Sequence, residues 1–546
     1  MPRVTIDGRE VEVPAGTTVI RAAEQLGVFI PRYCYHPGLS VAGNCRICLV
    51  QVEKLPKLQI ACNLPVTDGM VVHTKSDEAE DGRRAVLEFL LANHPLDCPV
   101  CDQAGECDLQ NFYMNFGLYD PRFREQKNKK KKAVQLGPHV MLDQERCILC
   151  SRCVRFTDEI TQTGEFGIFN RGDSAELGLY PGETLDNPYS ANVVDICPVG
   201  ALTEGNFRFK ARVWYLSGAP TVCNGCSRGC NIDMHFVLDR PHLNDGKRLA
   251  RVKPRFNEDV NEWWLCDEGR YGFDWLDQDR MVEVRGPTDN GTQATWQRAL
   301  SAIASACRSS EDPQPRIGVL ASTQLTNEEL FLIREVFQRG LGARVTASVE
   351  QPAAFSDDFL VTADRTPNTR GATLLGLAGP DALPAQELVD DARAGKLDVL
   401  WVFGHDLVQL FGEKQAREVV DNVALLAFSG TNKNATVDLA HWVLPSGAYV
   451  EKDGTFVNCD GRLQRVGMAF PPPGDAREDW RFLLQLAELL DLPMTWKDLA
   501  QVFDGMAEAE EAFAGRRLDD IGDAGISITT TEAVGAAEAK PEAGSR

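Results

Sequence analysis

Residues 146–156 read RCILCSRCVRF and residues 193–202 read VVDICPVGAL, which together give the spacing C-x2-C-x2-C-x43-C-P. Cys147, Cys150 and Cys153 recur every third position, so one loop can wrap three corners of a four-iron cubane. The remote Cys197, followed by Pro198, can supply the fourth corner. Zinc rarely uses this pattern. In a two-cluster ferredoxin the first run continues to a fourth cysteine, where Thr157 stands here. Three more precede the Cys-Pro, where Asn187, Ser190 and Val193 stand. The pattern predicts one cubane of an ancestral pair, fed by both halves.

Outward from this motif, fifteen of the 17 cysteines lie between Cys34 and Cys266, leaving only Cys307 and Cys459 beyond. The chain opens MPRVTIDGRE, with neither an apolar leader nor an Arg-rich one, which predicts a reducing compartment. There, clustered thiols read as metal ligands or redox groups rather than disulfides. Cys307, inside the helical pattern ALSAIASAC, and Cys459 read as structural residues.

Three further sets use every remaining cysteine of that region. Cys34, Cys45, Cys48 and Cys62, spaced C-x10-C-x2-C-x13-C, carry a single short hook in the loop GNCRIC. Its glycine lets the chain wrap close to bridging sulfides, as in plant-type 2Fe-2S ferredoxins. Zinc is the minority reading. His94, Cys98, Cys101 and Cys107 follow as H-x3-C-x2-C-x5-C. Replacing a thiolate by neutral imidazole removes a negative charge and would raise the potential, with a zinc on three thiolates and one imidazole the plain rival. Cys223, Cys226, Cys230 and Cys266, spaced C-x2-C-x3-C-x35-C, again suit a cubane.

Composition sets the frame. With 546 residues, 43% hydrophobic and 25% charged, the chain suits about three or four ordinary globular domains. Lys and Arg total 57 against 79 Asp and Glu, a net charge of −22 that repels nucleic acid and anionic lipid. Apolar runs such as LDVLWVF (397–403) fall far short of the roughly 18 residues a spanning helix needs.

Alternation in VTIDGREVEV, helical spacing from Thr18 to Leu26 and the run LVQVEK predict a small sheet packed on one helix over 1–78. EDGRRAVLEFLLANH predicts a helix before the His94 set (79–125). The Lys run 126–133 reads as a linker or solvated loop, and 134–215 and 216–275 as two further cysteine-bearing domains. Beyond 275 the texture is α/β. IGVLAS (317–322), VTA (345–347) and DVLWVF (398–403) read as buried parallel strands, and Thr326 to Glu329 as a capping box opening NEELFLIREVFQRG. This α/β domain runs over 276–505, and 506–546 reads as a disordered tail.

These motifs resemble the large iron–sulfur subunit of bacterial respiratory complex I, NADH:quinone oxidoreductase. GNCRICLVQVE, HPLDCPVCDQAGECDLQ, RCILCSRCVRF, NVVDICPVGALT and CNGCSRGCNI stand in that family's order over roughly residues 1 to 275. The resemblance implies a multidomain α+β and α/β chain: a 2Fe-2S ferredoxin-like β-grasp domain, a segment with one His and three Cys ligands, a ferredoxin-like 4Fe-4S domain and a truncated molybdopterin-oxidoreductase-like domain. It implies one 2Fe-2S and three 4Fe-4S clusters on the four sets above, with the 223–266 set off the main path.

WWLCDEGRYG and VEKDGTFVNCDGRLQ resemble molybdopterin-oxidoreductase landmarks, yet Glu268 stands where active relatives have Lys, so no molybdopterin and no catalytic residue are expected. The implied partners are a flavin- and NADH-binding subunit, a small 2Fe-2S subunit, a two-cluster ferredoxin-like subunit and the quinone module. The implied place is the cytoplasmic face of a bacterial inner membrane, peripheral and in membrane contact only through partners. An NAD-linked formate dehydrogenase subunit, an electron-input subunit of an NAD-reducing hydrogenase and a zinc scaffold are the alternatives.

Overall fold

Alternation in the first residues produces a hairpin: Arg3–Ile6 runs antiparallel to Arg9–Glu12 around Asp7 and Gly8, both at positive φ (49° and 80°). In the computed structural model, which describes residues 1–120, 122–287, 294–308, 316–349 and 354–528, this hairpin edges a five-stranded sheet. The order is Arg9–Glu12, Arg3–Ile6, Met70–His73, Leu49–Val52 and Gln59–Ile60. Helix Val19–Gln25 buries Val19, Ile20, Ala22 and Ala23 in the same core. The expected sheet on one helix is present.

The described chain divides into two compact units: Met1–Leu216 with Val237–Ala250, and Ser217–Phe236 with the described residues from Arg251 onward. In the first unit, helix Asp77–Asn93 starts at Ser76, whose Oγ accepts from Ala79 N at 3.3 Å. Helix Asp108–Phe116 and a three-stranded sheet follow, ordered Leu202–Glu204, Val140–Leu142, Val134–Gln135. The Lys run is not merely solvated. Lys127 Nζ donates to Leu91 O and Ala92 O at 2.6 and 2.9 Å, and Lys132 pairs with Asp97 at 2.5 Å and Glu145 at 2.9 Å. Carbonyls at a helix C-terminus attract the Lys127 ammonium, and two carboxylates hold Lys132, so both lysines have internal partners.

In the second unit the expected strands form a fully parallel sheet, ordered Arg344–Thr346, Ile317–Leu320, Val399–Phe403, Leu425–Gly430 and Trp442–Pro445. Every residue of Val399–Phe403 is buried, as a strand covered on both faces requires. The capping box is formed. Thr326 N donates to Glu329 Oε2 at 3.0 Å and Glu329 N to Thr326 Oγ1 at 3.3 Å.

The disordered tail expected over 506–546 does not hold for residues 506–528. Helix Leu499–Ala509 continues into a packed segment that buries Phe513, Leu518 and Ile521, and Ile526–Ser527 pairs with Arg462–Val466. Apolar residues spaced through an Ala- and Glu-rich stretch anchor it. The rest of the expected tail, 529–546, lies outside the described residues. Among the described residues no helix is long and apolar enough to cross a membrane.

Candidate metal centres

The first set sits where the N-terminal sheet meets its loops. Gly43 and Arg46 take positive φ (62° and 63°), which turns the loop so that Cys45 and Cys48 face Cys34 and Cys62. Cys34 N donates to Cys45 Sγ at 3.4 Å. Cys34 is drawn down to about 5 by its hydrogen bond with Cys45, and Cys48 to about 7 by its bond with Cys62. The other thiol of each pair is pushed up. Cys34 and Cys48 are thereby the thiols of this set most readily present as thiolate ligands.

The second set is assembled by helix ends. His94 closes helix Asp77–Asn93, Cys98 and Cys101 bracket one tight turn, and Cys107 precedes Asp108–Phe116. All four line one pocket with Asp97, Arg146 and Gly200. Burial and the nearby Arg146 lower His94 to about 4, so its imidazole is neutral and available as a ligand at physiological pH. Arg146 is held by Asp97 at 3.1 Å.

Cys147, Cys150, Cys153 and Cys197 line another pocket, with Arg152 in its wall. Positive φ at Leu149 and Ser151 (53° and 59°) bends the loop around it, and Leu149 N donates to Cys147 Sγ at 3.4 Å. Burial raises Cys150 to about 11 and Cys147 to about 12. Where a second cluster's ligands would stand, Thr157, Asn187, Ser190 and Val193 are buried. Asn187 Nδ2 donates to Glu165 Oε1 at 2.7 Å, and Thr163 N to Thr157 O at 2.9 Å. Hydrogen-bonded side chains fill that space.

These three sets share one apolar core. Cys34, Cys107 and Cys150 pack together with Ile47, Leu109, Phe112 and Val199, and Cys45, Cys147 and Cys197 stand at its margin. Two bonds tie the first set to the third: Arg155 Nη2, on helix Arg152–Glu159, donates to Cys34 O at 2.5 Å, and Asn44 Nδ2 donates to Leu149 O at 3.2 Å.

The fourth set belongs to the second unit. Cys223 and Cys230 end and begin the paired strands Ser217–Val222 and Asn231–Phe236, and Cys223 N donates to Cys230 O at 2.8 Å. Cys266 caps helix Asp267–Tyr271, its Sγ accepting from Gly269 N at 3.3 Å. Gly269 is a cradle: a Cβ there would lie 3.1 Å from Cys223 Sγ and 3.3 Å from Cys266 Sγ.

Two contacts here are not visible in the sequence. Cys459, expected to be structural, bonds through its N–H to Ser227 O at 2.8 Å, beside Cys226. Glu268 pairs with Arg365 at 2.9 Å, and Arg365 borders both the cysteine pocket and a cavity of about 330 Å³. That cavity opens beyond the carboxyl ends of the parallel strands, at Phe403, Ser429 and Ser446.

Among the described residues no group of three or more His, Cys, Asp or Glu side chains is spaced to hold a metal ion. The second, third and fourth sets each line a pocket, whereas the thiols of the first set pair with one another.

Fold and sites define a multidomain iron–sulfur protein. Family models agree along the chain: a 2Fe-2S iron–sulfur cluster binding domain at 2–77 and the NADH-ubiquinone oxidoreductase-G iron–sulfur binding region at 83–122. The ferredoxin-like domain of NADH-quinone oxidoreductase subunit 3 matches 137–203, the NDSU1/NuoG-like 4Fe-4S domain 243–274, and molybdopterin oxidoreductase 379–489.

A mitochondrial NADH-ubiquinone oxidoreductase 78 kDa subunit from Candida albicans is 32% identical over 91% of this chain and 84% of its own. The G-type subunit of NADH-quinone oxidoreductase from Rickettsia bellii is 30% identical over 95% of this chain and 91% of its own. A solved NAD+-reducing [NiFe]-hydrogenase chain matches 39% of this chain and 91% of its own at 31% identity and a TM-score of 0.35, a score that bears on neither fold nor function. The chain belongs to the family of the large iron–sulfur subunit of NADH-quinone oxidoreductase, respiratory complex I.

Proposed function

We propose that this chain relays electrons within a complex I. They enter from NADH through a flavin on a partner and leave towards quinone through other subunits. The observation that carries the reading is the single core shared by the first three ligand sets, since electron transfer asks for centres held close in a rigid, water-poor setting. The first set would hold a 2Fe-2S cluster, and the second, third and fourth sets one 4Fe-4S cluster each; when bound, these supply one-electron redox chemistry. The protein's part is to hold the ligands, exclude water and set potentials through charges and N–H groups around the sulfurs.

Partner docking is favoured beside the second set. Cys98 is exposed, Leu96 and Val100 flank it in the chain (89% and 61% exposed), and Phe89, Met114 and Tyr119 are exposed on the neighbouring segments. Apolar surface of this kind suits a protein partner. The two-cluster ferredoxin-like, flavin-binding, small 2Fe-2S and quinone-module subunits are the proposed neighbours, on the cytoplasmic face of a bacterial membrane. The second unit takes no molybdopterin in this reading, since Glu268 and Arg365 occupy the edge between the fourth set and the 330 Å³ cavity.

Metal analysis and EPR of the dithionite-reduced complex test the proposal. About fourteen irons per chain and no molybdenum are expected. Zinc at comparable stoichiometry without a reducible signal would defeat the ligand assignment, and stoichiometric molybdenum or formate oxidation would favour the formate dehydrogenase reading.

A further inference from the structure

Arg152 lies between two ligands of the third set, Cys150 and Cys153, and is only 8% exposed. Its guanidinium bridges two sites. Nη1 donates to Ile196 O at 2.9 Å, next to Cys197 of the third set, and Nη2 donates to Tyr35 O at 2.6 Å, next to Cys34 of the first set. Its Nε is also buried, and the Nε–H has no hydrogen-bond partner among the described residues. No carboxylate among the described residues forms an ion pair with it.

A buried cation with neither a paired counter-charge nor a complete set of acceptors is costly, and native cores seldom keep one. The groups that feel its charge come from both sides: Cys150 and Cys197 of the third set and Cys45 of the first, with Asp108 beside the second. Iron–sulfur clusters bound by thiolates are anionic and carry acceptor sulfurs, and they would supply both missing partners.

Resting on the ligand assignment above, we propose that Arg152 is a potential-setting residue shared by two clusters: its charge stabilises the reduced form at the first and third sets together, and its Nε–H is donated to a cluster sulfur. Reduction adds negative charge, so a fixed buried cation raises the midpoint potential of each cluster it faces. One side chain therefore biases two adjacent stations in the same direction. Arg155 also reaches the first and third sets, through Cys34 O at 2.5 Å and Cys150 O at 3.4 Å, but it is only half-buried and its contacts are to backbone carbonyls; the buried arginines at other thiols have a narrower reach. Arg146 stands at Cys101 of the second set, and Arg83 feels Cys48 of the first.

The test is a potentiometric titration followed by EPR on the full chain in its assembled complex, comparing wild type with Arg152→Gln and Arg152→Lys. In Arg152→Gln the midpoints of the 2Fe-2S signal and the third-set 4Fe-4S signal both move to lower potential while the second- and fourth-set signals stay in place. Arg152→Lys, which keeps the charge, gives a smaller shift of both. Unmoved midpoints at full iron content, or movement of only one of the two, would overturn the shared role while leaving the ligand assignment intact; iron-free wild type would instead overturn that assignment. Should both variants lose iron, pulsed EPR of the reduced wild-type 2Fe-2S cluster decides with arginine labelled by 15N in the guanidinium. A nitrogen coupling that persists in Arg155→Lys, which removes the other guanidinium at this set, is expected, and its absence would overturn the proposal.

Discussion

A methyl group on the Cα of Gly200 would lie 2.3 Å from the sulfur of Cys101. Gly200 follows the Cys-Pro of the third set, whereas Cys101 belongs to the second, so the two loops touch with no room between them. Pro198 O also accepts from Asp108 N at 3.0 Å, beside Cys107. Gly200→Ala must therefore displace Cys101 or the loop that carries it. Iron should fall by about four per chain, with the 2Fe-2S signal retained. Full iron with an unchanged spectrum would show that the loop relaxes at little cost.

Lys127 ties the second set to the rest of its unit from the other side. Its ammonium satisfies two carbonyls in the last turn of Asp77–Asn93, directly before His94. Lys127→Met should cost roughly 0.5–1 kcal/mol of stability and speed the release of second-set iron to a chelator. Thermal melting and chelation kinetics check the two effects, and an unchanged release rate would sever the link between Lys127 and the cluster.

Ligand spacing was legible because it is local chemistry: Cys147, Cys150 and Cys153 recur every third position on one loop and line one pocket. The capping box at Thr326 and the all-apolar strand at 399–403 were legible for the same reason, each being set by its own few residues. Arg152 was not, because an arginine between two cysteines looks like any solvent-facing residue until Tyr35 and Ile196 arrive from elsewhere. Lys127 and Cys459 were hidden likewise, their partners lying 35 or more residues away. Residues 506–528 misled because an Ala- and Glu-rich composition hid anchors as sparse as Phe513 and Ile521.

Glu328 gives the second unit a pH dependence. Its carboxyl is fully buried and accepts from Thr455 N at 2.9 Å and Thr455 Oγ1 at 2.7 Å, yet burial outweighs those bonds and raises it to about 7. A carboxyl raised on folding contributes stability that is complete below its unfolded value and is lost as pH climbs through about 7. The loss is roughly 3 kcal/mol, and Asp479, also raised to about 7 by burial, acts in the same direction. The melting temperature should fall as pH rises from about 4.5 to about 7 and level off above, and Glu328→Gln should flatten that fall. An identical slope in the variant would exclude Glu328 as its source.

Cys150 and Cys226 should differ in what their loss destroys. Cys150 lies in the core that also holds Cys34 and Cys107, so Cys150→Ala interrupts the place where three ligand sets meet. NADH-to-quinone transfer should drop to background. Cys226 lies in the second unit, in a pocket that joins the turn between Ser217–Val222 and Asn231–Phe236 to helix Asp267–Tyr271. A cluster there cross-links segments distant in sequence, so Cys226→Ala should lower the melting temperature by about 10 °C while the assembled complex keeps most of its turnover. Turnover and melting are measured on the same preparations, since assembly must be held constant for the comparison. Equal loss of turnover in both variants at unchanged assembly would place the fourth centre on the route taken by electrons.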